Sequence, residues 1–139
     1  AIFDIDTYEP ILITHIETDD KDSHGERLHE QREFVRDLMD KYPPYEVTIE
    51  RGFSRFNNAT QVIFRAHGVL NELLHKCLQV YYPPKTIKEV VGKHGDATKK
   101  VVQNNILKKY PDIEFANEDE SDAVATSICH LVKKYKMKW

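Results

Sequence analysis

The sequence predicts an α/β fold, one mixed sheet flanked by helices, and three observations carry that reading. The 139 residues are 40% apolar and 31% charged, which suits one folded domain and argues against wholesale disorder. Apolar periodicity alternates between strand and helix spacing in the order β-β-α-β-α-β-α-α. No repeat, low-complexity tract or linker breaks that order, so a single domain over residues 1–139 is expected.

Ala1–Ile5 and Ile11–Glu17 are short runs rich in β-branched residues, joined across Thr7-Tyr8-Glu9-Pro10 as a hairpin. A polar loop over 19–25 follows. From Glu26 to Tyr42, Leu28, Val35, Leu38 and Met39 recur near helical spacing, and Pro43-Pro44 ends the helix. Glu46–Glu50 reads as a strand with β-branched residues at its centre. After a loop from Gly52, Asn58 is placed to cap a long helix whose apolar set includes Val62, Ile63, Val69 and Leu73. Gln79–Tyr82 is a strand cut by Pro83-Pro84, and Thr86–Val91 a short helical turn ending at Gly92. Asp96 is expected to cap a helix to about Tyr110, with Ala97, Val101, Ile106 and Leu107 inward. A last helix is expected from about Ser121 to Tyr135.

The formal charge of −3 conceals a strong segregation. Residues 1–50 carry 5 basic and 14 acidic side chains, residues 51–109 carry 11 and 3, and residues 110–139 carry 4 and 6. A basic stretch between acidic ones suits a phosphate-binding surface, and it equally suits a solvated helix face. Around Glu50, at a strand end, the segment Arg51-Gly52-Phe53-Ser54-Arg55-Phe56 places two arginines and two aromatics about a glycine. That combination serves phosphate contact and base stacking. Asp119 and Asp122, three apart at a helix entrance, either complement the helix dipole or point together at a shared ligand. Carboxylates beside a basic, aromatic loop are what a metal-dependent nuclease needs, because they hold the Mg²⁺ that activates water.

Three segments together resemble the RuvC-type Holliday junction resolvases of the ribonuclease H-like superfamily. Val47-Thr48-Ile49-Glu50-Arg51-Gly52-Phe53 is similar to that family's strand ending in a catalytic Glu. Tyr82–Gly92, continuing through Gly95-Asp96-Ala97-Thr98-Lys99, is similar to its substrate-binding stretch. Asp119-Glu120-Ser121-Asp122-Ala123 is similar to its Asp-x-x-Asp-Ala helix. The motifs stand in family order across nearly the whole chain.

The resemblance implies a ribonuclease H-like fold in which Glu50, Asp119 and Asp122 bind Mg²⁺, with Mn²⁺ as a substitute. Phe53 would stack near the junction centre, and Lys88 and Lys99 would hold phosphates beside the scissile bond, Lys99 supporting the phosphate charge. Arg51 and Arg55 join this substrate-binding set. The family acts as a homodimer that nicks a four-way junction symmetrically, which suits a two-fold substrate. The long helix over 59–78 is either the dimer face or an ordinary core helix. In one respect the sequence departs from the pattern: aligned backward from Glu50, Ala1-Ile2-Phe3 falls on the family's second strand. The first strand, which ends in an Asp of the metal site, is then missing from this sequence. Asp4 and Asp6 fall on the wrong strand and its turn. Small size and divergence suit a member from a virus of bacteria.

Other readings carry less. The seven histidines show no HxH or HExxH spacing, and no GxxxxGK[ST] loop is present. His130 is expected to be a hydrogen-bonded helix histidine. Cys77 and Cys129 read as reduced core thiols of a cytoplasmic protein rather than a disulfide framework. No run approaches the ~18 apolar residues of a membrane span and no secretory leader opens the chain. The lysine-rich end, Lys133 to Trp139, either adds nonspecific DNA affinity or is a solvated tail, with the tail favoured. The function expected is Mg²⁺-dependent, two-metal nicking of four-way junctions and other branched DNA. The alternatives are a ribonuclease H-like nuclease on RNA or hybrids, and an inactive module that binds branched DNA.

Overall fold

The computed structural model describes residues 1–52 and 57–139, the side chains of 57–59 excepted. Its elements run β1 (Ile2–Phe3), β2 (Pro10–Leu12), α1 (His24–Lys41), β3 (Glu46–Glu50), α2 (Asn57–Leu73), β4 (Leu78–Tyr82), α3 (Pro84–Val91), α4 (Lys99–Lys109) and α5 (Glu118–Tyr135). Among the described residues the strands form two two-stranded sheets, β1 with β2 and β3 with β4. The chain divides into two compact units, residues 1–15 with 82–139 and residues 16–81.

In the first unit, β1 and β2 pair antiparallel, Ile2 opposite Leu12, as the hairpin pattern requires. The strands are shorter than expected because Asp4 diverts the chain. Its carboxylate accepts the N–H groups of Asp6 (2.9 Å) and Thr7 (2.8 Å), a side-chain turn that competes with the ladder. Those bonds, Thr7 first, hold the Asp4 carboxyl below the usual carboxylate range. Tyr8 takes φ +62° to complete the reversal.

The core of this unit is helical. Ile106, Val91, Val124, Ile128 and Cys129 are fully buried where α3, α4 and α5 pack on one another. Gly92, which caps α3, lies so close to its neighbours that a Cβ there would stand 2.3 Å from Ala97 Cβ and 2.8 Å from the Lys88 carbonyl. Only glycine fits this corner. Cys129, as a core thiol, is pushed by burial to about 11, which makes it inert at neutral pH.

Several local expectations are corrected here. α3 begins at Pro84, because proline at a first helical position loses no hydrogen bond the helix would make. α4 is capped by Thr98, whose hydroxyl accepts the Val101 N–H, and Asp96 lies upstream of the helix. That boundary also sets the face: Val101 is exposed, while Val102 and Ile106 point inward. α5 starts at Glu118, capped by Asn117, so three acidic residues occupy its first turn and Lys133 and Lys134 its last.

In the second unit, α1 carries a capping box: Ser23 accepts the Glu26 N–H and Glu26 accepts the Ser23 N–H. α1 packs on α2, yet none of its residues is buried. α2 begins at Asn57, which places Asn58 within the helix rather than at its cap. Val62, expected inward, is exposed, as is Phe64. No helix among the described residues is long and apolar enough to cross a membrane.

Candidate active site

The first turn of α5 and the first residue of α4 meet in the first unit. A lysine opening a helix opposes the helix dipole, and Lys99 answers this by reaching across to α5. Its ammonium donates to Glu118 Oε2 at 2.7 Å and to Asp122 Oδ2 at 3.2 Å. The hydrogen bond to Glu118, then that to Asp122, raises the Lys99 pKa above the ordinary lysine value, so the group is a fixed cation at neutral pH. Glu118 and Asp122 are four apart and share one helix face. Asp119 is exposed beside them, and it is Glu118, absent from the expected set, that joins Asp122 in holding Lys99. Gln103 Nε2 donates to Ser121 Oγ at 3.0 Å, a second tie between α4 and α5 that fixes the approach.

Glu120 does different work from its neighbours. Only 6% exposed, it accepts the Ala116 N–H at 2.7 Å and is bonded to His15 Nδ1 at 2.8 Å. These partners, His15 first, hold its carboxyl below the usual range. Sequence reasoning missed it, because three consecutive acidic residues look equivalent until the helix turns one of them into the core. His130 meets its expectation. It is buried, with Nδ1 3.0 Å from the Tyr82 hydroxyl and its ring edge-on to Tyr82 and Tyr135.

Lys88 sits in the last turn of α3, half-buried, with its carbonyl accepting the Gly92 N–H. Glu50 closes β3 and Arg51 follows it, exposed, in the second unit. Gly52 passes so near α2 that a Cβ would stand 2.5 Å from Ile63 Cγ2. Phe53 and Arg55 lie outside the described residues.

The structure thus brings Lys99 to Asp122, two of the expected site residues. Among the described residues no group of three or more His, Cys, Asp or Glu side chains is gathered for a metal. The donor chemistry nevertheless fits a hard divalent cation. Asp119 and Asp122 offer carboxylate oxygens alone, and Glu118 in the α5 first turn already collects one cation, the Lys99 ammonium.

A family model described as crossover junction endodeoxyribonuclease RuvC matches residues 7–130. Among curated proteins, the crossover junction endodeoxyribonuclease RuvC of Corynebacterium diphtheriae is 32% identical over 126 residues, covering 87% of this chain and 77% of that protein. That of Alkaliphilus metalliredigens is 33% identical over 120 residues, covering 83% and 73%. Among solved structures, Thermus thermophilus RuvC superposes with a TM-score of 0.75 at 19% identity, over 87% of this chain and 76% of that one. T. thermophilus RuvC in complex with Holliday junction substrate also gives 0.75, at 21% identity, over 82% and 72%. The shared architecture is the α/β, ribonuclease H-like fold.

Proposed function

This chain belongs to the RuvC family of crossover junction endodeoxyribonucleases, and from that premise we propose that it is a metal-dependent endonuclease nicking four-way junctions and other branched DNA. The observation that carries this is the family match over residues 7–130, which spans all three motifs. Residues 1–139 act as a single nuclease domain in the cytoplasm, in DNA recombination and repair.

Glu50, Asp119 and Asp122 hold Mg²⁺, for which Mn²⁺ substitutes. Bound there, such ions supply an activated water and offset charge on the departing oxygen in phosphodiester hydrolysis. Lys99 keeps its proton at working pH and supports charge on the scissile phosphate, while Glu118 shares its ammonium with Asp122. Lys88, Arg51 and Arg55 contact backbone phosphates, and Phe53 stacks on a base near the junction centre. The active form is a homodimer, since paired symmetric nicks need a two-fold partner. α2, with Val62 and Phe64 exposed, is its proposed face.

The test is a nicking assay with Mg²⁺ on a four-way junction, a linear duplex and an RNA–DNA hybrid. Paired nicks confined to the junction are expected. Cleavage of the hybrid in preference to the junction, or binding without cleavage, overturns the reading.

A further inference from the structure

The lysine-rich end of the chain, favoured from sequence as a solvated tail, is folded back and anchored. α5 ends at Tyr135, and Lys136 turns the chain with φ +60°. Met137 is then buried at 4% exposure, its N–H bonded to the Leu131 carbonyl at 3.2 Å and its sulfur 3.8 Å from the Tyr110 hydroxyl. Trp139 Nε1 donates to the Val91 carbonyl at 3.2 Å, in the last turn of α3, where Asn105 Nδ2 also donates at 3.0 Å. Two apolar anchors, two residues apart, therefore strap residues 136–139 across the ends of α3 and α4.

Lysines converge on the strap. Lys93 Nζ donates to the Trp139 main-chain oxygen at 2.7 Å and lies 5.6 Å from the centre of its ring. Lys109 Nζ donates to the Lys138 carbonyl at 3.3 Å and lies 5.6 Å from the centre of the Tyr110 ring. Two ammonium groups, one from the segment after α3 and one from the end of α4, thus rest on consecutive main-chain oxygens, beside the exposed side chains of Lys136 and Lys138. Among the described residues none of these four lysines is paired with a side-chain carboxylate. After Asp122 the chain carries no acidic residue at all.

We infer that Lys93, Lys109, Lys136 and Lys138, ordered by Met137 and Trp139, form a second DNA-contact surface that grips the phosphate backbone of a duplex arm. The partner chemistry follows from the charge. Four cations without a side-chain carboxylate partner among the described residues match a polyanion with regularly spaced charges, and ordering them in advance removes part of the entropic cost of binding. The aromatic rings beneath Lys93 and Lys109 hold the ammonium groups without neutralising them. The placement suits a branched substrate. Lys99 opens α4 and Lys109 closes it, so the two lie about 15 Å apart along the axis at 1.5 Å per residue. That span corresponds to roughly four to five base pairs of an arm running from the cleavage site.

This inference rests on the proposed junction-binding activity, and the test separates the two. Binding of a fluorescein-labelled four-way junction and of a linear duplex is measured across salt concentrations. The proteins are the wild-type chain, Lys109→Gln/Lys138→Gln, Lys109→Arg/Lys138→Arg, and Lys41→Gln. Lys41 closes α1, in the unit of residues 16–81. The glutamine pair is expected to lower the slope of log K against log salt by roughly one to two. At moderate salt, affinity for both DNAs falls about tenfold, since each lost counterion release weakens binding at every sequence. The arginine pair and Lys41→Gln leave slope and affinity as in wild type. An unchanged slope in the glutamine pair overturns the second surface while leaving junction binding intact. An equal loss in Lys41→Gln makes the effect one of bulk charge and also overturns it. A wild-type chain that does not bind the junction overturns the proposed function and this surface with it.

Discussion

The two units of this chain are built on opposite economies of burial. In the unit of residues 1–15 and 82–139, twelve apolar residues are buried in one cluster, and small residues at Gly92, Ala97, Ala125 and Ser121 let three helices approach closely. In the unit of residues 16–81, Leu74 is the only buried apolar residue among those described, and α1 runs 18 residues without one. The proposed metal ligands are divided between them, Asp119 and Asp122 in the first and Glu50 in the second. A packed core holds rotamers in place, so the α5 carboxylates and Lys99 sit on the rigid part. Glu50 belongs to the unit with less buried apolar surface to hold it, and local opening is cheapest where such surface is scarce.

The sharpest way to break this comparison is truncation on each side. Ile106→Ala, at a fully buried site, is expected to cost about 2–5 kcal/mol. Tyr45→Ala, at an exposed site of the other unit, is expected to stay within about 0.5 kcal/mol. Urea unfolding measures both, and equal costs would erase the distinction. Native-state hydrogen exchange extends the test: α1 amides are expected to exchange through smaller openings than those of α5.

The functional counterpart asks whether the less buried unit takes part in chemistry. Glu50→Gln is expected to slow junction cleavage at least ~100-fold, equivalent to about 2.7 kcal/mol of barrier. Binding measured by anisotropy is retained. Loss of both in equal measure would make Glu50 a structural residue.

Titration sharpens the first unit further. The Glu120 carboxyl is held below its ordinary value by His15 and the Ala116 N–H. Its contribution is present above the unfolded-state carboxylate range and is lost as pH falls through the lower folded value. Glu120→Gln is therefore expected to lower Tm at pH 7 and to converge on wild type in strong acid. A constant difference across pH would remove the ionised carboxylate from the account. At the alkaline end, burial pushes the Tyr110 hydroxyl up to about 12 from 10.0. Stability falls as pH rises from the unfolded value towards the folded one, and Tyr110→Phe abolishes that alkaline loss. The same substitution removes the 2.7 Å bond to the Tyr8 carbonyl, a cost of about 1 kcal/mol at neutral pH. A small stability effect is expected at Lys99. Its pairs are solvent-exposed, so Lys99→Ala changes unfolding by no more than about 1 kcal/mol. Junction cleavage falls well beyond that, and matched losses would reduce Lys99 to a surface pair.

Some of this was written in the local sequence and some was not. β3 over Glu46–Glu50, the helix of 24–41, the stop at Pro43-Pro44 and the acidic start of the last helix are local facts. They follow from strand-forming residues, helical spacing and proline chemistry acting within a few residues. The ordered motifs about Glu50, Lys88–Lys99 and Asp119–Asp122 likewise identified the family, because order and separation survive divergence better than any single motif. What local signals lacked was orientation. Asp96 and Thr98 are both competent caps, and the choice of Thr98 turned Val101 outward and Val102 inward. Glu118, Asp119 and Glu120 are chemically alike in sequence, yet one pairs with Lys99, one faces solvent and one is buried against His15. The final lysines read as a soluble tail because nothing nearby reveals that Val91 and Tyr110 will receive Trp139 and Met137. Composition and periodicity determined which elements form and which family they belong to. Only tertiary packing decided which face of each element is buried and which distant partner each charge meets, because those depend on groups far apart in the chain.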